Sequence, residues 1–230
     1  MRFRLTKATL KDLSKWGEQP TLADIEPTTD QQEMSLSLTR DGFLAHKDKG
    51  VEEFKVESTT SSPSTVYLLE VFYTDAQGRP MNNQFIDNGQ DRIHQHFFRR
   101  YTERELGGKA RIYPINKLEE LGYDYRYADI TPWDKPYTSP ESRFTGVSNP
   151  MGFKGLIRFT EADLRFHLTI LLMHAHEPKY RIDPKTQRSL FMPFYNNDAF
   201  AISQEADISI DVPITVDKGS KDERLAKYRK

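Results

Sequence analysis

Cysteine is absent from the 230 residues. That removes disulfides, thiolate metal sites and cysteine nucleophiles, and it suits an intracellular protein. An excess of either charge is also missing: 33 Lys and Arg stand against 34 Asp and Glu, a formal net charge of −1. No global field draws in nucleic acid or an acidic membrane, so any basic site has to be a local patch. Long hydrophobic runs are lacking as well. The apolar-rich stretch 164–175 contains Arg165, His167, Thr169 and His174, and it is shorter than the roughly 20 apolar residues a membrane span needs. The opening MRFRLTKATL has no apolar centre of the signal-peptide kind. The expectation is a soluble cytoplasmic protein with no membrane partner. No P-loop, G-x-S-x-G or G-x-G-x-x-G occurs, which removes the commonest nucleotide and hydrolase signatures.

What is present is enough for a packed core: 37% hydrophobic residues, with aromatics at 12%. Alternation of apolar and polar residues predicts strands at 2–7, 34–39 and 51–59. Residues 66–74 are dense in β-branched and aromatic side chains and predict a central strand. Further extended segments are expected at 109–115, 123–130, 153–159, 190–194, 199–203 and 207–216. Short helices are expected at 9–15, capped by Thr9, and at 117–121, capped by Asn116. Residues 19–32 read as a loop. The low-complexity run STTSSPST at 58–65 marks a surface loop and a break within the domain. Residues 131–150 carry four prolines and predict a long loop. Residues 218–230 hold six Lys and Arg against two acids and read as a basic tail.

The segment 90–106, QDRIHQHFFRRYTEREL, is the richest in chemistry. Ile93, Phe97 and Tyr101 recur every four residues, which predicts an amphipathic helix with Phe98 on the same apolar arc. Residues 164–176 are ambiguous. Leu164, Phe166, Leu168, Ile170 and Leu172 alternate as in a strand, while Leu164, Leu168, Leu171 and Ala175 follow helical spacing. The expected class is α+β: short antiparallel strands, one central helix over 90–106, a second helix over 161–176 if that ambiguity resolves so, and long Pro-rich loops, in a single domain over 1–217.

Histidines come in two H-x-H pairs, His94 with His96 and His174 with His176. Such a pair shares a metal on a strand, where i and i+2 face one way, and not on a helix, where they diverge by about 200°. The helical expectation for 90–106 therefore separates His94 from His96. If 164–176 is a strand, His174 and His176 become metal candidates; His-Ala-His there resembles the metal-binding pair of rolling-circle replication and nicking enzymes. His167-Leu-Thr169 resembles one half of the paired H-x-T motif of two-histidine phosphoesterases, with the other half missing. Gly152-Phe-Lys-Gly155, with the opening Met1-Arg-Phe-Arg-Leu, is similar to segments of ferredoxin-like RNA-binding proteins of CRISPR systems.

Glu53-Phe-Lys55 sets a carboxylate and a lysine on one face of a strand, with Asp41 upstream. The pattern resembles the E-x-K strand of PD-(D/E)xK nucleases, and that resemblance implies a Mg²⁺ site of Asp41 and Glu53 beside Lys55. On the helical geometry, Arg92, Arg99 and Arg100 form a basic stripe with His96, extended by Lys109 and Arg111. Guanidinium forks match phosphate oxygens, and nearby Tyr125 and Tyr127 suit stacking on unpaired bases. Three functions are carried forward. The first is a non-catalytic, cofactor-free protein or complex subunit that binds RNA or single-stranded DNA. The second is a structural or assembly protein of a virus particle or multi-subunit machine. The third is a Mg²⁺-dependent nuclease.

Overall fold

The computed structural model describes residues 1–41, 44–47, 50–106, 108–179, 184–185, 187, 195–196 and 205–217. Its strands are β1 (Arg2–Leu10), β2 (Ile25–Leu38), β3 (Leu44–His46), β4 (Phe54–Val56), β5 (Thr65–Phe72), β6 (His94–Arg99) and β7 (Tyr101–Leu106). They continue as β8 (Lys109–Pro114), β9 (Tyr123–Tyr127), β10 (Ile130–Thr131), β11 (Arg143–Phe144), β12 (Lys154–Phe159), β13 (Arg165–His174) and β14 (Glu205–Val216). One sheet has the order β3-β2-β1-β5-β12-β9 and the other β4-β14-β13-β6. Pairing within both is antiparallel except between β14 and β4. Two-stranded ribbons, β7–β8 and β10–β11, lie outside them.

The two large sheets share one core. Phe3, Leu69, Ile157, Tyr123 and Tyr125 of the first meet Phe98, Phe166, Leu168, Ile170, Leu172 and Val212 of the second. Aromatic rings bridge the sheets: Phe98 stacks on Tyr125 at 4.0 Å between centroids, and Tyr123 on Phe166 at 5.7 Å. This is sheet-on-sheet packing, with side chains of each inner face filling the other's gaps. Outside the first sheet, Trp16 packs with Leu10, Ile25 and Leu156 in a smaller cluster.

The expected α+β class is therefore corrected: the protein is sheet-rich, with no helix of seven or more residues among those described. In place of a helix over 90–106 there is a 3-10 turn (Asp87–Arg92), then β6, then β7. The reason is burial. All six residues of β6 are buried, so its sequence lacks the apolar–polar alternation that identifies a strand with one wet face. The four-residue recurrence of Ile93, Phe97 and Tyr101 is accidental. The ambiguity over 164–176 resolves to β13. Thr9 belongs to β1 rather than capping a helix, and the only α-helical turn described is α1 (Lys15–Glu18). The loop expected at 19–32 is largely β2, whose start is polar because it is exposed. Residues 58–65 are tied to β12 by hydrogen bonds from Thr59 N and Oγ1 to the Phe159 carbonyl. The extended segments expected at 190–194 and 199–203 and the basic tail at 218–230 lie outside the described residues.

Gly155 in β12 shows how tightly neighbouring strands of the larger sheet pack. The Tyr125 side chain crosses it, and a Cβ there would lie only 1.9 Å from the Tyr125 hydroxyl oxygen. Substitution Gly155→Ala is expected to destabilise the fold by roughly 1–3 kcal/mol, as overpacking does. Urea denaturation measures this; an unchanged midpoint would show that Tyr125 moves aside freely.

Candidate metal centre

β13 runs between β6 and β14, and its register sets His174 directly opposite His94. On the other side, pairing passes from Leu172↔Ile208 to Met173↔Ala206, so Asp207 is the extra residue of a bulge. A bulge re-aims the side chain it carries. Here it brings the Asp207 carboxylate to both imidazoles: His94 Nε2 lies 3.2 Å from Oδ2 and His174 Nδ1 3.3 Å from Oδ1. The two rings are 4.6 Å apart between centroids. One ligand atom from each of His94, His174 and Asp207 falls within 4.8 Å of the others, the only such group of three among the described residues.

The groups differ in freedom. His94 is buried, with the edge of Phe85 against its ring and its Nδ1 2.9 Å from the Gln90 carbonyl. His174 and Asp207 are 45% and 35% exposed at their side chains. Ligands about 2.1 Å from a common ion sit roughly 3–3.5 Å apart, a range that both carboxylate–imidazole contacts already meet.

Behind His94 lies a buried polar scaffold. The Asp129 carboxylate accepts four amide hydrogens, from Met151, Gly152, Phe153 and Lys154, at 2.8–3.0 Å. Burial pushes its pKa up, while those amides and Lys179 pull against that shift. The turn so held presents the Met151 carbonyl to His96 Nδ1 at 2.6 Å. The Lys179 amine donates to the carbonyls of His94 (2.7 Å) and Pro150, beside Met151 Sδ. Burial pulls the Lys179 pKa down to about 7. The carbonyl of His94 is thus pinned from one side and its ring from the other.

His96 serves this scaffold and not the metal group. It is fully buried, with Nδ1–H donating to Met151 and Nε2 accepting from the Tyr73 hydroxyl at 2.7 Å. His176 is exposed, past the end of β13, and stands outside the group. Of the two expected metal candidates, the fold brings His174 to His94 and Asp207 and leaves His176 apart. The helical expectation separates His94 from any such group. Asp207 carried no sequence signal, because bulges are not written in composition.

The other expected site residues are scattered. Glu53 is engaged by Arg165 Nε at 2.8 Å and Thr215 Oγ1 at 2.6 Å, which hold its carboxyl below the usual range. Lys55 is exposed on β4, with its backbone bonded to Gln32 of β2. Asp41 follows the far end of β2, beyond Leu38. The six residue steps from Gln32 to Leu38 already span about 20 Å, so Asp41 is not brought to Glu53. Arg99 is buried and bonds Asn116 at 3.3 Å, and Arg100 donates to the Leu121 carbonyl at 2.9 Å. Tyr125 and Tyr127 are core residues, closed to bases. Arg92, Lys109 and Arg111 are exposed, the last two on the β7–β8 ribbon.

No family model matches the chain, and no curated protein or solved structure is recognisably similar to it. No helix among the described residues is long and apolar enough to cross a membrane.

Burial lowers the His96 pKa to about 4, so the native ring stays neutral where an unfolded one, near 6.5, takes a proton. The unfolded state binds more protons between those values. Stability from this residue is therefore present above about pH 6.5 and falls as pH drops towards 4. A His96→Gln variant is expected to lose less stability than the wild type between pH 7 and about 4.5. Parallel urea curves would refute the assignment.

Proposed function

We propose that this protein binds a divalent transition-metal ion through His94, His174 and Asp207, with coordination positions left open for water or substrate. One observation carries the reading. The Gln90 carbonyl can only accept, so His94 Nδ1 bears the proton at 2.9 Å, and Nε2 then faces the Asp207 carboxylate at 3.2 Å. In a neutral ring that contact sets lone pair against lone pair. A cation between the two atoms removes the conflict. A metal ion does so and engages His174 as well, whereas a second ring proton would pair His94 with Asp207 alone.

The Nδ1–H donation to a backbone carbonyl also fixes the tautomer of a metal-ligating histidine in the usual manner. Two imidazoles and a carboxylate favour Zn²⁺, Fe²⁺, Co²⁺ or Ni²⁺ over Mg²⁺ and Ca²⁺, whose ligands are oxygens. Three protein ligands leave room for a bound water activated by a Lewis acid, or for oxygen chemistry on iron.

Metal-free protein is expected to bind one Co²⁺ or Zn²⁺ per chain in calorimetry. Substitution Asp207→Ala or His174→Ala should weaken binding by more than about a hundredfold, beyond what loss of an outer-shell partner costs. Binding unaffected by both variants, or absent at micromolar metal, would dismiss the centre.

A second reading, a subunit contacting RNA or single-stranded DNA, draws support from the β7–β8 ribbon. It pairs outside both sheets and exposes Lys109, Arg111 and Ile112. Exposed guanidinium and ammonium groups suit phosphate oxygens. The double substitution Lys109→Glu and Arg111→Glu should then weaken oligonucleotide binding and flatten its salt dependence. Wild-type protein that binds no oligonucleotide at low salt would end this reading.

A further inference from the structure

We infer that the metal centre serves a substrate with an aliphatic body, received in the cleft between the β2–β3 hairpin and the start of β14. The inference rests on the metal reading of His94, His174 and Asp207. The cleft has a volume of about 700 Å³, within the range that holds a small organic molecule. Asp207 forms part of its wall, next to Ile208, with Leu36, Leu38, Leu44 and Tyr73 around it.

Two of these residues are out of place for an ordinary surface. Leu38 is 71% exposed and Leu44 is 44% exposed, and the β2–β3 register sets them directly opposite each other. A single exposed leucine needs no account. A facing pair beside a ligand-sized cleft that also holds a metal ligand is an apolar surface waiting for an apolar occupant.

The wall is mixed, and two of its titratable side chains are committed. The Tyr73 hydroxyl is bonded to His96 Nε2 at 2.7 Å. Asp75 is taken by Arg79 Nε and by the amides of Gln77 and Arg79. Among the described lining, that leaves Lys47 as the ionisable side chain besides Asp207. The chemistry fits an aliphatic chain bearing an oxygen donor at one end, such as an aliphatic carboxylic acid or its derivatives. The donor reaches the ion and the chain lies along Leu36, Leu38, Leu44 and Ile208.

A series of linear alkyl hydroxamates, from acetohydroxamate to octanohydroxamate, titrated into Co²⁺-loaded protein tests this through the visible cobalt bands. Each added methylene is expected to tighten binding by roughly three- to fourfold until the cleft is filled. The double substitution Leu38→Ser and Leu44→Ser should leave Co²⁺ binding unchanged and largely abolish that increment. A flat chain-length series on a protein that does bind Co²⁺ overturns the substrate class and leaves the metal centre standing. An increment that persists in the double variant places the chain elsewhere and also overturns the inference. Failure to bind Co²⁺ overturns the metal reading and this inference with it.

Discussion

The register of β13 between its two neighbours is the constraint on which the rest depends. Ten residues of β13 pair with β14 on one side, and the last six of them pair with β6 on the other. Because side chains alternate with period two, a slip of one residue would turn Phe166, Leu168, Ile170 and Leu172 out of the core together. The same slip would take His174 away from His94. Core and candidate centre are thus set by a single alignment. The bulge at Asp207 is the one departure from it, and it turns the carboxylate to both His94 and His174.

The inter-sheet core explains why this alignment is held firmly. Between the sheets Phe98 meets Tyr125, Phe166 meets Tyr123 and Phe159, and Phe153 meets His96, all in ring contact. Such contacts demand fixed ring positions, and Gly155 makes space for one of them. At the end of the core near His94 the filling changes from aromatic to polar. Asp129, His96 and Lys179 are all buried there, each with several hydrogen bonds. Buried polar groups cost stability when partly satisfied and rigidify when fully satisfied. A rigid polar end thus holds His94 still beside the more exposed His174 and Asp207.

Much of the strand content was legible in the sequence, and the reasons for the failures are physical. Residues 66–74 and 153–159 announce themselves by β-branched and aromatic density, and both are interior strands of the larger sheet. Residues 90–106 mislead because β6 is buried on both faces and so shows no alternation. Tyr125 and Tyr127 look like a stacking surface until the second sheet covers them, and a tyrosine-rich strand reads the same in either place. Arg99 shows the converse, since a charged side chain in the interior is too rare to be anticipated from sequence. His174 is a metal candidate in the sequence only on the strand reading of an ambiguous segment. The meeting of His94, His174 and Asp207 spans 114 positions, counting both ends (207 − 94 + 1), and depends on pairing and a bulge. Neither leaves a local trace.

The order of rigidity within the triad has a chemical consequence. His94 is fixed at the ring by Gln90 and at the backbone by Lys179, and it faces the core. Asp207 and His174 are the exposed members, and Asp207 also borders the cleft. On the proposed metal reading, an ion entering from solvent would meet His174 and Asp207 first and be completed by His94. That order would suit a centre whose outer side must remain accessible. A purely structural ion would be enclosed by four protein ligands, with no need of a half-exposed pair. The exposure of His174 and Asp207 would then leave the ion open to a substrate.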